Sequence, residues 1–232
     1  MRAYNLALRR AEKHLLAADR RMAAVISRHG RCALVPAWER SPYESLLRAV
    51  AHQQLHARAA EAILGRLAGR FPDKSFPEPA DVLSLSLEDM RSCGFSLSKA
   101  TTLRGIAEGA LSGLVPTRAA ADVQSNEQLI AELTALRGIG RWTVEMLLIF
   151  TLARLDVMPV DDFGVKTGLQ AVYGLKAFPG KADFARLTDA WQPYRSIGAW
   201  YLWREADYRK EQAKAAAKPP SRAPKGSSRG KK

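Results

Sequence analysis

The sequence predicts an all-α fold, and three observations carry the prediction. Helix-start signatures recur along the chain, apolar residues fall at three- and four-residue spacing, and no alternating apolar and polar stretch is long enough for a useful strand. At 232 residues the chain suffices for one domain of two lobes or for two small domains, with ample apolar content for a core. No internal repeat appears at solenoid periods.

The elements follow in chain order. "MRAYNLALRRAEKHLLAADRR" interrupts every apolar run with charge, so it lacks the unbroken core of a signal peptide. "SPYESLLRAVAHQQLHARAAEAILGRL" opens with Ser41 as N-cap, Pro42 at the first helical position and Glu44 closing a capping box. Leu46, Leu47, Val50, Ile63, Leu64 and Leu67 mark its buried face, which predicts one long helix. "SLEDMRSCG" reads as a short helix ending at Gly94, and "SKATTLRGIAEGALSG" as another ending near Gly113. "SNEQLIAELTAL" starts on a second capping box, from Ser125 to Gln128. "RWTVEMLLIFTLARL" and "VDDFGVKTGLQAVYG" give further helical patterns, and "YLWRE" reads as helix. From Glu211 on, Lys, Pro, Ser, Gly and Ala dominate without apolar periodicity, so residues 211–232 are expected to form a disordered basic tail behind a folded unit over 1–210.

Composition narrows the function classes. The formal net charge is +13, which favours a polyanionic partner such as nucleic acid or an anionic membrane surface. Residues 211–232 hold seven Lys/Arg and one acid, leaving 29 basic and 22 acidic residues in the other 210, so the body is basic without its tail. Cys32 and Cys93 are too few for a four-cysteine zinc site, a four-thiolate iron–sulfur cluster or a disulfide framework, and a reducing cytosol is the simplest setting. No segment approaches bilayer-spanning length, so a soluble, cytoplasmic protein without membrane contact is expected, associated with the nucleoid if the source is bacterial.

One stretch carries chemistry. In "LRGIGRWTVEMLL", Gly138 and Gly140 sit two apart immediately before an apolar helical pattern. Helix, glycine-bearing hairpin, helix is a recipe for gripping phosphate. Glycines let the main chain approach closely, and the free N–H groups of the second helix point at the anion. Such a grip reads backbone and not base sequence. Arg137 and Arg141 flank the glycines within reach of phosphate, although solvated charges beside an ordinary turn would look the same.

"LRGIGRWTVEMLL" resembles the hairpin of the helix-hairpin-helix DNA glycosylases, and "MPVDDFGV" resembles the aspartate segment of that superfamily. "AVAHQQLHARAAEAIL", "LSKATTLRGIAEGALSG" and "DAWQPYRSIGAWYLWREAD" extend the resemblance, in order, over about residues 40–207. Together they resemble the alkylated-base branch, typified by 3-methyladenine DNA glycosylase II. The resemblance implies a two-lobed helix-hairpin-helix fold with lobe one over about 45–155, lobe two from 1–44 plus 156–210, and the active-site cleft between them. Some members of the branch carry an extra N-terminal β-rich domain, for which too few residues precede Ser41.

The implied activity is hydrolytic excision of alkylated purines, of the 3-methyladenine type and also 7-methylguanine, from damaged double-stranded DNA. The product is an abasic site for base excision repair. Bifunctional members place a lysine two residues after the second hairpin glycine to form a Schiff base, and commonly hold an iron–sulfur cluster. Here that position is Trp142, which leaves water as the attacking group and implies a monofunctional hydrolase without lyase activity. Asp162 matches the catalytic carboxylate that stabilises the oxocarbenium. From local sequence alone, either acid of Asp161 and Asp162 is as readily an N-cap, and the resemblance leaves Asp161 as the structural partner. Trp142 and Trp203 match the aromatics that hold a cationic base, and Gln54 matches the wedge that fills the gap left by the flipped nucleotide. Met146 stands where the family can hold a tyrosine, which puts the inherited base preference in doubt.

DNA contacts are expected at Gln54, Arg137, Gly138, Gly140, Arg141 and Thr143. No cofactor is required, although the hairpin resembles a site where main-chain carbonyls, here around Leu136 and Ile139, hold a monovalent cation. His52 and His56 have no partner carboxylate or cysteine at ligand spacing and read as surface or groove residues. A monomer is expected, because the fold grips mostly one damaged strand and its minor groove. The alternatives are a glycosylase for another lesion class and a non-catalytic helix-hairpin-helix DNA-binding protein. Asp162 argues against the second, since binding alone gains nothing from an anion near phosphates.

Overall fold

A computed structural model describes residues 2–217. Thirteen α-helices follow one another among these residues, with no strand. They are α1 (Arg2–Ala18), α2 (Arg20–His29), α3 (Pro42–His52), α4 (Ala57–Ala68), α5 (Pro79–Ser84), α6 (Leu87–Ser92), α7 (Leu97–Ser112), α8 (Arg118–Asp122), α9 (Asn126–Leu133), α10 (Arg141–Phe150), α11 (Phe163–Tyr173), α12 (Lys181–Thr188) and α13 (Arg195–Ala216). A 3-10 turn over Asp189–Trp191 precedes the last.

Packing sorts these helices into two groups. In the first, α3 lies against α4, α7 and α10, while α5 and α6 pack on α7 and α9 packs on α10. In the second, α11 and α13 form the most extensive pair, α2 packs on both, α1 packs on α2 and α13, and α12 meets the 3-10 turn. The chain therefore enters and leaves through the second group. One continuous apolar core joins the two, and each fully buried Leu or Ile in it, such as Leu103 and Ile106 of α7, contributes about 1.5–3 kcal/mol.

Two contacts fix the second group. On α11, Gly164 and Gly168 face α13 so closely that a Cβ at Gly168 would lie 2.1 Å from the Leu202 carbonyl oxygen and one at Gly164 2.8 Å from Trp203 Cδ1. Any larger residue forces the helices apart. One turn on from Leu202, Glu205 is 1% exposed and takes bonds from Arg28 (2.7 and 2.8 Å), His29 (2.9 Å) and Arg209 (2.8 Å), which ties α13 to α2. Burial raises the Glu205 carboxyl, but the three donors outweigh it and hold it below the usual range.

The caps follow local sequence. Ser125 and Gln128 form the reciprocal box on α9, Gly113 ends α7 in the left-handed conformation, and Gly94 follows α6 at φ 108°. The box at Ser41 is half formed: Ser41 Oγ accepts the Glu44 N–H, while the Glu44 carboxylate turns to Arg48 at 2.8 Å.

The single helix expected from Ser41 to Leu67 is two. α3 stops at His52, and the chain turns through Gln54 at φ 57° before α4 begins at Ala57. Apolar periodicity continues across the break because both helices feed one core, so the pattern hides the turn. The final helix runs past Glu211 to Ala216, where an irregular tail was expected. Ala, Glu, Gln and Lys are strong helix formers, and lengthening an existing helix needs no apolar stripe. The rest of that tail, 218–232, lies outside the described residues. Among the described residues no helix is long and apolar enough to cross a membrane.

Candidate active site

The break after α3 and the start of α10 meet at one cleft, and the N-cap of α11 adjoins it through Trp142. Its volume is about 750 Å³, and α3, the Gln53–Gln54 break, Glu61 of α4, the segment around Val35 to Arg40 and one face of α10 line it. Trp142, Met146 and Phe150 lie at i, i+4 and i+8 on that face of α10, which makes an aromatic and thioether wall.

Asp162 is the N-cap of α11. Its Oδ1 accepts the Val165 N–H at 2.8 Å and the Trp203 indole N–H at 2.7 Å, while Oδ2 accepts the Trp142 indole N–H at 2.8 Å. Capping and candidate chemistry therefore fall on the same acid, and Asp161 is not the cap. Asp161 points outward, its side chain 61% exposed and 3.3 Å from Lys166. Three donors fix the Asp162 carboxylate in orientation, and of its four lone-pair sites one, on Oδ2, is left open beside Trp142. Gly164 belongs to this geometry, because a Cβ there would also lie 3.2 Å from Asp162 Oδ1.

The two tryptophans converge on that carboxylate but stand differently to the cleft. Trp142, 44% exposed, lines it. Trp203 lies behind Phe150, ring centroids 5.5 Å apart and planes tilted by 31°, and Phe150 takes the wall position expected of Trp203. Phe150 was legible only as the third member of the Trp142, Met146 spacing.

At the hairpin the two glycines serve different ends. Gly138 has φ 84°, and a Cβ on it would lie 2.5 Å from Thr102 Oγ1, so the turn itself requires glycine. Gly140 has φ −95°, an ordinary value, and its Cβ would meet nothing within 4 Å. As N-cap of α10 it offers no side-chain acceptor, and the N–H groups of Arg141, Trp142 and Thr143 that open the helix have no described partner. That is an anion-binding arrangement. Arg137 is exposed beside it, and the Thr143 side chain is buried beneath the cleft wall.

Arg141, expected to reach phosphate, instead holds Glu127 (2.8 and 3.2 Å) and Glu145 (3.0 Å). Burial pushes the Glu145 carboxyl above the usual range, with Arg141 only partly opposing it, so the guanidinium is engaged in compensating a buried acid. Leu136 and Ile139 are buried; the Leu136 carbonyl accepts the Ile139 N–H at 3.1 Å, and the Ile139 carbonyl accepts no backbone bond among the described residues. His52, expected without a carboxylate, is 3.0 Å from Glu61, nine residues on, because the break folds α4 back beside α3. His56 is the N-cap of α4 and makes no side-chain cap bond.

Gln54 is exposed at the cleft edge in the left-handed conformation, rare for a residue with a Cβ and a mark of positions under functional constraint. Two neighbours outside the sequence-based expectations support it. Gln53 Nε2 donates to the Gly138 carbonyl at 3.2 Å, and Lys99 Nζ donates to the carbonyls of Ala51 (2.9 Å) and Gln53 (2.7 Å). Burial holds the Lys99 ammonium below its ordinary range. A lysine near the start of a helix gives no sign in sequence that it caps another helix.

A family model described as HhH-GPD superfamily base excision DNA repair protein matches residues 47–193. DNA-3-methyladenine glycosylase 1 of Schizosaccharomyces pombe is 43% identical over 207 residues, spanning 88% of this chain and 91% of that protein. A solved structure of the S. pombe 3-methyladenine DNA glycosylase in complex with abasic DNA superposes with a TM-score of 0.74, covering 84% of this chain and 95% of that one. The DNA-3-methyladenine glycosidase of Bacillus halodurans, 32% identical, gives a TM-score of 0.79 over 87% of this chain and 91% of that one. With a family match across more than half its length and a 43% identical relative covered almost end to end, the chain belongs to the HhH-GPD superfamily of base excision DNA repair proteins.

Proposed function

We propose that the protein is a monofunctional DNA glycosylase that flips alkylated purines out of duplex DNA and hydrolyses their glycosidic bond, leaving an abasic site for base excision repair. The observation that carries this reading is the Asp162 carboxylate, held by two indole N–H groups and the α11 amide at the margin of an aromatic-walled cleft. The relative named DNA-3-methyladenine glycosylase 1, and the solved complex with abasic DNA, support the same activity.

The roles follow from the chemistry. Free amides at the start of α10, with Gly140 bare and Arg137 beside it, grip a phosphate without reading sequence. Gln54 enters the duplex as the wedge while the base leaves the stack, at an unstacking cost of a few kcal/mol that damage lowers. Trp142 and Phe150 receive the base, with Trp203 as backing, and a cationic purine over indole gains roughly 0.5–2 kcal/mol beyond stacking. An N3- or N7-alkylated purine already carries positive charge and needs little protonation to leave. The remaining requirement is an anion beneath the sugar, and Asp162 supplies it while water attacks. Trp142 stands where a lyase would need an amine, so no Schiff base forms and the strand stays intact.

The Ile139 carbonyl, with Leu136 beside it, offers hard oxygen donors that suit a monovalent cation, which would neutralise charge next to the gripped phosphate. Replacing potassium by a bulky organic cation would then weaken DNA affinity beyond the effect of ionic strength. The active unit is the helical body through α13, acting as a monomer in the compartment that holds the DNA. Met146 on the cleft wall bears on lesion choice. Incubation with a panel of methylated, deaminated and oxidised duplexes, with chromatography of the released bases, tests the reading. Release of alkylated purines is expected. Release of only deaminated or oxidised bases, or binding without release, would overturn it.

A further inference from the structure

The loop that presents Gln54 and the hairpin that grips phosphate are braced by the same face of α7. Lys99 and Thr102 lie one turn apart on that helix. Lys99 directs its ammonium at the C-terminal carbonyls of α3, bonding those of Ala51 and Gln53, where the helix dipole is negative. Thr102, 5% exposed, packs against Gly138 so tightly that no Cβ fits between them. Gln53 closes the triangle by donating to the Gly138 carbonyl. Gln54, next in the chain, sits in a conformation that L-residues rarely hold unless their surroundings impose it.

Resting on the glycosylase reading and on Gln54 as the wedge, we propose that Lys99 is a positioning residue for base extrusion. Its ammonium locks the break between α3 and α4 so that Gln54 enters the duplex in register with the phosphate held at the hairpin, and Gln53 transmits that register. A wedge on an unbraced loop would still meet DNA, but it would enter many positions instead of one, and the extruded state would lose population. Chemistry on a base that is already unstacked would not need the brace.

The test uses that difference. Lys99→Met keeps the aliphatic stem and removes both bonds; Lys99→Arg can restore donors to the same carbonyls. Single-turnover release of N7-methylguanine is measured from two duplexes, one with the lesion opposite cytosine and one with it opposite an abasic-site analogue, where little pairing energy opposes extrusion. The proposal expects Lys99→Met to slow release at least tenfold on the paired duplex and less than threefold on the unpaired one. Lys99→Arg should recover most of the loss, and affinity for undamaged duplex should change less than twofold. Gln53→Ala should show the same pattern more weakly and serves if Lys99→Met fails to fold. Equal losses on both duplexes, or no loss on either, would overturn the positioning role. A wild-type protein that releases the base from neither duplex would instead overturn the glycosylase reading.

Discussion

Replacing Asp162 by Asn separates the two things this residue does. Asn is as good an N-cap as Asp, so the bond from the Val165 amide persists, and its carbonyl oxygen can still accept the Trp203 indole. Its NH2 then faces the Trp142 indole N–H, donor against donor, and that bond is lost. A hydrogen bond to a charged group contributes about 1.5–3 kcal/mol, but Trp142 is 44% exposed and water can take its place, so the stability loss should stay near 1 kcal/mol. The charge has no replacement. An anion about 4 Å from the oxocarbenium, at an effective dielectric of about 20, contributes about 4 kcal/mol, or about three factors of ten in rate. Affinity for damaged DNA should hold or rise, since an anion beside phosphates is repulsive before reaction. The assay is single-turnover base release at saturating enzyme, with melting temperature and DNA affinity measured on the same samples. Asp161→Asn is the control: an exposed acid 3.3 Å from Lys166 contributes at most about 1 kcal/mol, so both readouts should be nearly unchanged. Near wild-type chemistry in Asp162→Asn would rule out this carboxylate as the stabilising anion, and loss of chemistry only in Asp161→Asn would shift the assignment by one residue.

Other outcomes follow from the same geometry. Gly138→Ala should lower stability by about 1–3 kcal/mol because of its positive φ and the Thr102 contact, whereas Gly140→Ala should leave melting within about 1 kcal/mol and weaken damaged and undamaged duplex alike. If Gly140→Ala changed lesion preference instead, the phosphate grip would be wrong. Trp203→Phe keeps an aromatic against Phe150 but removes one donor from Asp162, so single-turnover release should slow about tenfold to a hundredfold with affinity unchanged. Glu205→Gln should destabilise the fold by about 1–3 kcal/mol at neutral pH. Because the folded state holds this carboxyl below its ordinary value of 4.5, its stabilisation is present above that value and fades as pH falls through the folded one. Denaturant midpoints of wild type and variant should therefore converge at acid pH; a constant gap would mean packing, not charge. Removing residues 218–232, which carry six Lys/Arg and no acid, should weaken DNA binding at low salt, flatten its salt dependence and leave the chemical step intact.

How much of this was legible in the sequence differs by element. Short-range chemistry carried much of the fold: the box at Ser125 and the glycine ends of α6 and α7 are local signals, and those helices formed where they stood, while the stripe over α3 and α4 marked the buried face but not the break in it. The turn at Gln54 was invisible, since the groups bonded to the residues just before it, Lys99 and Gly138, lie 45 and 84 residues from Gln54 in sequence. Asp162 and Trp142 could be named from the resemblance, but the sequence could not say that cap and candidate catalyst are one carboxylate, nor that both indoles donate to it. The surroundings of Arg141 were only partly legible. Glu145 stands four residues on, an ordinary helical pair, but only the fold shows that this acid is buried and brings the exposed Glu127 to the same guanidinium.

The proposed reaction hydrolyses the glycosidic bond and leaves the sugar–phosphate backbone whole. A duplex bearing one N7-methylguanine, labelled on the damaged strand, tests it in a single time course that reads free base, full-length strand before alkali and strand cleaved after alkali, with borohydride added to a parallel sample. Stoichiometric release of N7-methylguanine is expected, with a full-length strand that breaks only in alkali and no covalent protein–DNA adduct. Strand scission without alkali, or a borohydride-trapped adduct, would contradict it.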